Sequence, residues 1–352
     1  KRNNFPFVIY LNYEFVNDTK DHESEFLHKL QKELEMKTIT DTDDYEFKKL
    51  LFFCLNSEET ADIQQSIDGD LNKCLRIGQL FYQGDRNFPK NEEEGIHFLK
   101  AAADRGNTEA QVILTSIFND DPNMHQHALH YCIMAAKRGH FGAISNLGVY
   151  FLEGKIVERN EKEAAKLFKL AAKKGGIIQA IMNYAYCLSE GVGVEKNVKK
   201  STKYYKIAAD KGVVQAMVKY GELVDDKRES IHYFKMAADS GSVEALVHLA
   251  DLSGDCEYYK KAADLGDFNS ATKYAFFEFQ RKNFDVALKY FELAAENNDP
   301  TAIYNYSILL SKTNKLNKDN AEKIVKFYRS AIQKGDIQSM LNLAELFEEG
   351  NE

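Results

Sequence analysis

The chain has 352 residues, 44% of them hydrophobic, so it carries enough apolar mass to bury a large core. A formal net charge of −8 argues against sequence-independent nucleic-acid binding, which needs clustered Lys and Arg to neutralise phosphates; Lys173-Lys174 and Lys199-Lys200 are dispersed surface pairs. No apolar run of ~18 residues occurs, so no bilayer-spanning helix and no direct membrane insertion are expected.

In chain order, residues 1–44 form a region of unassigned fold. Residues 5–15 read as an extended segment and residues 23–36 as a helix with Phe26, Leu27, Leu30 and Leu34 on its apolar face. The acidic stretch 40–44 reads as a boundary. Residues 45–69 read as two short helices, and Gly69 stands 37 residues before Gly106, a spacing that makes the second helix a degenerate cap of the array beginning at residue 70.

From residue 70 a repeat takes over and runs to residue 352. Six times an Ala-Ala pair is followed, after two intervening residues, by glycine. The pairs at 102, 135, 171, 208, 237 and 262 lead to Gly106, Gly139, Gly175, Gly212, Gly241 and Gly266, and degenerate copies lead to Asn298 and Gly335. Intervals of 33, 36, 37, 29, 25, 32 and 37 residues mean stacked supersecondary units rather than one globular core. Before each such turn an apolar face recurs at helical spacing, as in Ala164, Leu167, Phe168, Ala171 and Ala172. The alanines let a neighbouring helix approach, and the glycine can take the left-handed conformation that ends a helix.

After each turn a second helical pattern opens on Ala143, Ala180, Ala216, Ala245, Ala271, Ala302 or Ser339. A small residue recurs inside it, at Gly78, Gly148, Ala185, Gly221, Ala250, Ser307 and Ala344. Glycine inside a helix costs about 1 kcal/mol relative to alanine, so its recurrence predicts a crossing with no room for a side chain. Gly84, Gly154, Gly191 and Gly350 are expected to end these helices. Each unit is therefore a hairpin of helix A then helix B, and the loop between them absorbs the variation in period.

These residues resemble the Sel1-like repeat family, relatives of the tetratricopeptide repeats. The pattern of Ala, Leu-Gly, an aromatic, Gly-x-Gly-Val, and Ala-Ala-x-x-Gly is nearly complete between Ala143 and Gly212. The resemblance implies an all-α, right-handed α-solenoid of stacked helical hairpins over residues 70–352, with the last repeat incomplete. It implies a non-catalytic scaffold or adaptor that holds partner proteins, as an extended peptide or helical segment, within a multiprotein complex. The alternative is the regulatory or targeting portion of a larger enzyme, a kinase or ubiquitin-ligase component, whose catalytic domain lies outside this chain; the start at Lys1 rather than Met reads as a fragment. A stand-alone hydrolase is a weaker third reading.

No catalytic, cofactor or metal motif is found. His125, His127 and His130 stand at i, i+2 and i+5, and i and i+2 do not share a helix face. Gly191-Val192-Gly193 lacks the third glycine and preceding strand of a dinucleotide fingerprint. Five cysteines (Cys54, Cys74, Cys132, Cys187, Cys256) without a per-repeat pattern favour a reducing, cytoplasmic setting, with the secretory lumen as the alternative if an upstream signal exists.

One polar feature is periodic. Three residues after the opening alanine of helix A stand Asn146, Asn183, Lys219, His248, Tyr274, Asn305 and Asn342. In a stacked array the A helices line the concave side, so these residues are expected to form a partner-binding ladder. An amide offers both a donor and an acceptor to a peptide backbone. The competing reading is that each asparagine bonds its own repeat or the next.

Overall fold

The computed structural model describes residues 70–84, 90–313, 315 and 317–349. The expected N-terminal region, the capping helices over 45–69, Cys54 and Gly350 lie outside the described residues. Among those described there are seventeen α-helices and no strand.

They alternate as A and B. The first four hairpins are α1 (Leu71–Gln83) with α2 (Glu92–Asp104), α3 (Thr108–Asn119) with α4 (His125–Lys137), α5 (Phe141–Glu153) with α6 (Glu161–Lys174), and α7 (Ile178–Glu190) with α8 (Val198–Asp210). The next four are α9 (Val214–Leu223) with α10 (Lys227–Asp239), α11 (Val243–Ser253) with α12 (Cys256–Asp264), α13 (Phe268–Gln280) with α14 (Phe284–Ala295), and α15 (Pro300–Lys312) with α16 (Lys318–Gln333). The last described helix, α17 (Ile337–Glu349), is of the A type. The chain divides into two compact units, one running to Ala208 and the other beginning at Ala209.

Local chemistry sets where helices start and stop. Asp70, Asn107, Asn160, Asp226, Ser242, Asp267 and Asp299 each accept a hydrogen bond from a backbone N–H of the first turn, satisfying a donor that the helix leaves free. At the other end Gly106, Gly139, Gly212, Gly241, Gly266 and Gly335 have φ between 82° and 101°, and Asn298 does the same work at 66°. Gly175 departs from this expectation. Its φ is −89° and it remains right-handed, while Gly176 makes the turn at 61°. The reason is packing: a Cβ on Gly175 would stand 2.3 Å from Cβ of Phe141, so the first glycine admits the start of α5, the other helix of its own hairpin, and the second turns the chain.

The crossing predicted from the helix A glycines is present. A Cβ added to Gly148 would stand 2.7 Å from the Phe168 ring, and one added to Gly221 would stand 2.8 Å from Phe234; both rings are at most 1% exposed. The alanine pairs at 102, 135, 208 and 294 are fully buried. Each large buried side chain such as Phe168 or Phe291 contributes roughly 1.5–3 kcal/mol. Cys74, Cys132, Cys187 and Cys256 are buried. Burial pushes Cys187 up to about 12, so it is a core side chain rather than a nucleophile at neutral pH.

Candidate functional site

Counting from the N-cap puts the A helices from α3 onward in one register. The third residue is small and buried, as in Ala143, Ala180, Ala216, Ala245 and Ala302, and the sixth is the ladder position. In α13 the cap is Asp267, which accepts from the N–H of Ser270 at 2.9 Å, so Ser270 and not Ala271 fills the small position. Tyr274 is accordingly a core residue, 4% exposed and edge-on to Tyr290 at 4.7 Å. Lys273 takes its place in the ladder. Serine standing for alanine beside a true alanine hid this one-residue shift in the sequence.

In the first unit the ladder consists of buried amides rather than open ones. Asn146 is 6% exposed and Asn183 is 4% exposed. The Asn183 Oδ1 accepts from Gln179 Nε2 at 3.0 Å, while its Nδ2 has no partner among the described residues. In the second unit the same one-turn pairing recurs. Gln338 Nε2 donates to Asn342 Oδ1 at 3.0 Å, and Asn305 Nδ2 donates to the Thr301 carbonyl at 2.7 Å. Asn183, Asn305 and Asn342 each place one amide atom in a bond to the residue one turn earlier on their own helix, a glutamine side chain for Asn183 and Asn342 and the Thr301 carbonyl for Asn305, as the competing reading has it.

Charge replaces amides between α9 and α13. Lys219 Nζ lies 2.8 Å from Glu222 and 3.7 Å from Glu244, and His248 Nε2 lies 3.1 Å from Glu222. His248 also stacks on Phe234, its ring centroid 4.6 Å away. Lys273 reaches Asp251 at 3.3 Å, and Asp251 accepts from the Tyr259 hydroxyl. Burial alone would raise the Glu222 carboxyl, but hydrogen bonds from His248 and Lys219 outweigh it and hold the group below its ordinary value. The network ties α9 to α11 and α11 to α13 while leaving its heads in contact with water. Glu222, three residues after Lys219, and Glu244, four before His248, were not singled out in the sequence because glutamate on a solvated helix carries no distinguishing pattern.

Glu222, Glu244 and His248 bring ligand-type atoms within 4.8 Å of one another, the one such set among the described residues. The Lys219 ammonium already stands beside both carboxylates, where a metal ion would have to be, so the set works as an ion-pair cluster. The three histidines of α4 do not converge. His125 lies 3.3 Å from the Asn119 carbonyl, His127 packs near Phe118, and His130 packs against Tyr131.

A second ladder was missed entirely. Tyr131 donates to Asp104 at 3.0 Å, Tyr290 to Asp264 at 2.9 Å, and Tyr233 to Asp210, each joining one B helix to the end of the B helix before it. Its signal is legible afterwards: Asp directly after the alanine pair, and Tyr four residues before the next pair.

Comparison with known proteins agrees with this geometry. Segments 74–107, 121–140, 142–176, 178–213, 216–242, 256–267 and 278–299 match the Sel1 repeat, together more than half of the chain. The chain belongs to the Sel1 repeat family. Sel1 repeats are in general protein-interaction modules, a non-catalytic interaction fold. The hairpins of this Sel1 array continue past residue 299, where the family match stops, with the same Asp299 cap and Gly335 turn.

A Sel1 repeat protein from Oxalobacter formigenes has the same fold, with a TM-score of 0.62 at 19% identity over 90% of this chain and 99% of that one. DAP3-binding cell death enhancer 1 of Mus musculus is 37% identical over 81 residues, and its Rattus norvegicus counterpart 36%. The match covers 23% of this chain and 16% of each relative, so only a small part of those proteins is represented. No helix among the described residues is long and apolar enough to cross a membrane.

Proposed function

We propose that this Sel1 array is a non-catalytic scaffold that captures partner proteins on the ladder positions of its A helices, Asn146 and Asn183 in the first unit and Lys219, His248, Lys273, Asn305 and Asn342 in the second. The observation that carries the reading is the common register of these side chains on consecutive A helices, with the Lys219–Glu222–His248 and Lys273–Asp251 contacts holding the charged ones in fixed positions. Polar groups mounted on rigid helices and braced by neighbours suit selective recognition, since little ordering is left for the moment of binding. Mixed charge between α9 and α13 favours a segment with both acidic and basic side chains, extended or helical, over a bare backbone.

The reading makes the chain a member of a multiprotein complex and keeps residues 45–69 as the cap of the array. Four buried thiols support a reducing, cytoplasmic setting. The name of the mouse and rat relatives makes DAP3 the first partner to try. Titration calorimetry of the full chain with purified DAP3 tests that choice: saturable binding that weakens when Lys219 and Lys273 are both changed to glutamate supports it. Absence of heat at either protein's solubility limit removes DAP3 as the partner.

A further inference from the structure

Counted from their caps, the B helices α6 and α8 carry lysines in register. Asn160 caps α6, accepting from the Glu163 N–H at 3.2 Å, and Asn197 caps α8, accepting from the Lys200 N–H at 2.9 Å. The second, sixth and ninth residues that follow are Lys162, Lys166 and Lys169 on α6 and Lys199, Lys203 and Lys206 on α8. That spacing is one helix face, on α6 opposite the buried Ala164, Phe168 and Ala171. Five of the six lysines are exposed and Lys206 is half-buried, so Lys199, dispersed in the sequence, belongs to a row. The two hairpins meet where these helices start: a Cβ on Gly193, in the loop before α8, would stand 1.9 Å from the Glu161 carbonyl oxygen in the first turn of α6.

A solvated face does not require one sign of charge. The same three positions hold Glu93, His97 and Lys100 on α2, and Asp285, Lys289 and Glu292 on α14. Like charges three or four residues apart on a helix repel and destabilise it, so the lysines of α6 and α8 stand against a local cost. Acids of the same region leave that cost in place. Glu163 is taken by Lys166 at 2.6 Å and Glu161 by Arg159, while Lys169 and Lys203 pair with no acid among the described residues. An anionic partner would relieve the repulsion.

Size and surroundings say what kind of anion. Residues 159–206 hold eleven Lys or Arg against four Glu, so the rest of the chain is more acidic than its total of −8. A bilayer or a polynucleotide would extend past the lysines and meet that acid. The lysine face spans seven residues of helix, roughly 10 Å, by the roughly 10 Å between packed helices. It presents ammonium groups, with neither a guanidinium plane nor a ring on which bases stack. A short run of carboxylates fits it.

We propose that the B-helix face of α6 and α8 binds an acidic segment of a partner protein, whose Asp and Glu side chains spread over the six lysines. The face is separate from the ladder of the A helices, so it stands or falls independently of the function proposed above.

The test is site-specific photo-crosslinking in the full-length protein in its native cells, followed by sequencing of the cross-linked peptide. Benzoylphenylalanine replaces Ile207, which is 45% exposed and one turn after Lys203. The expected product is a peptide of another protein carrying a block of about five acidic residues. Lys169→Glu combined with Lys203→Glu should reduce that product roughly tenfold, Lys169→Gln with Lys203→Gln roughly threefold, and arginine at both positions should retain most of it. The charged residues one turn from Lys169 and Lys203 on their own helices are all lysine, so the glutamate variant should melt no lower than the parent. Cross-linking to residues 1–69 of the same chain, to a second copy, to lipid or to nucleic acid would overturn the proposal. So would a peptide without the acidic block, no product, or a yield indifferent to both the glutamate and the glutamine variants.

Discussion

The phenolic oxygen of Tyr290 donates a 2.9 Å hydrogen bond to Oδ1 of Asp264, tying the B helix of one hairpin to the end of the B helix before it. Tyr290 is 3% exposed whereas Asp264 is exposed, so the two ends of the bond are not equivalent. Tyr290→Phe leaves the carboxylate free to hydrate and is expected to cost about 1 kcal/mol; Asp264→Ala strands a buried hydroxyl and is expected to cost about 1–3 kcal/mol. Urea unfolding of both variants checks the order. Equal midpoints for the two variants and the parent would show that the bond does not join the repeats.

The buried phenols set an alkaline limit. Burial first, and then nearby carboxylates, push Tyr274 and Tyr306 up to about 12, against about 10 in an unfolded chain. A raised value means that the protonated form is favoured in the fold. Its stabilisation is complete below about pH 10 and is lost as pH rises from there towards about 12. Thermal melts between pH 8 and 12, with phenolate absorbance followed in parallel, should show melting temperature falling gently from about pH 8.5, where the unfolded Cys187 thiol ionises, and steeply above about pH 10, where the phenols follow. No steepening above about pH 10 would contradict the assignment.

Gly148 is the sharpest probe of the hairpin crossing. Replacing a helical glycine by another residue ordinarily gains up to about 1 kcal/mol. Here the new Cβ would stand 2.7 Å from the fully buried Phe168 ring, and Gly148→Val should instead cost about 1–3 kcal/mol. Chemical denaturation measures it. A stabilised variant would mean that the helices do not cross at this point.

The ion-pair cluster predicts an acid limit. Because the hydrogen bonds from His248 and Lys219 hold the Glu222 carboxyl below its ordinary value, its contribution is present above the unfolded value of about 4.3 and fades as pH falls through the folded one. Glu222→Gln should therefore melt below the parent at pH 7, and the gap should close below pH 4. A gap that persists unchanged at pH 3 would show that the carboxylate's charge is not what matters.

The repeat, its two helices and the close crossing at Gly148 and Gly221 were legible in sequence because each is imposed by sterics that only small residues satisfy. Turn glycines were legible for the same reason, and Gly175 misled only because Gly176 shared its task. The ladder was half legible. Its period could be read, but register depended on which of Ser270 and Ala271 fills the buried position, and the pairing of Asn183 with Gln179 depends on rotamers that spacing does not fix. The tyrosine–aspartate bonds went unread because their partners lie 23 to 27 residues apart in repeats of unequal length.

The central claim is that partners are held by the A-helix row. Quantitative pull-down of the full-length protein against its Lys219→Glu/Lys273→Glu variant, with bound proteins measured by mass spectrometry, tests it most directly. Lys219 stands beside Glu222 and Glu244, and Lys273 beside Asp251, so each reversal adds like-charge repulsion; the variant's melting temperature is therefore measured first and the pull-down is run well below it. The account predicts a folded variant that loses its principal partners at least tenfold. A folded variant that retains every partner at parental levels would contradict it.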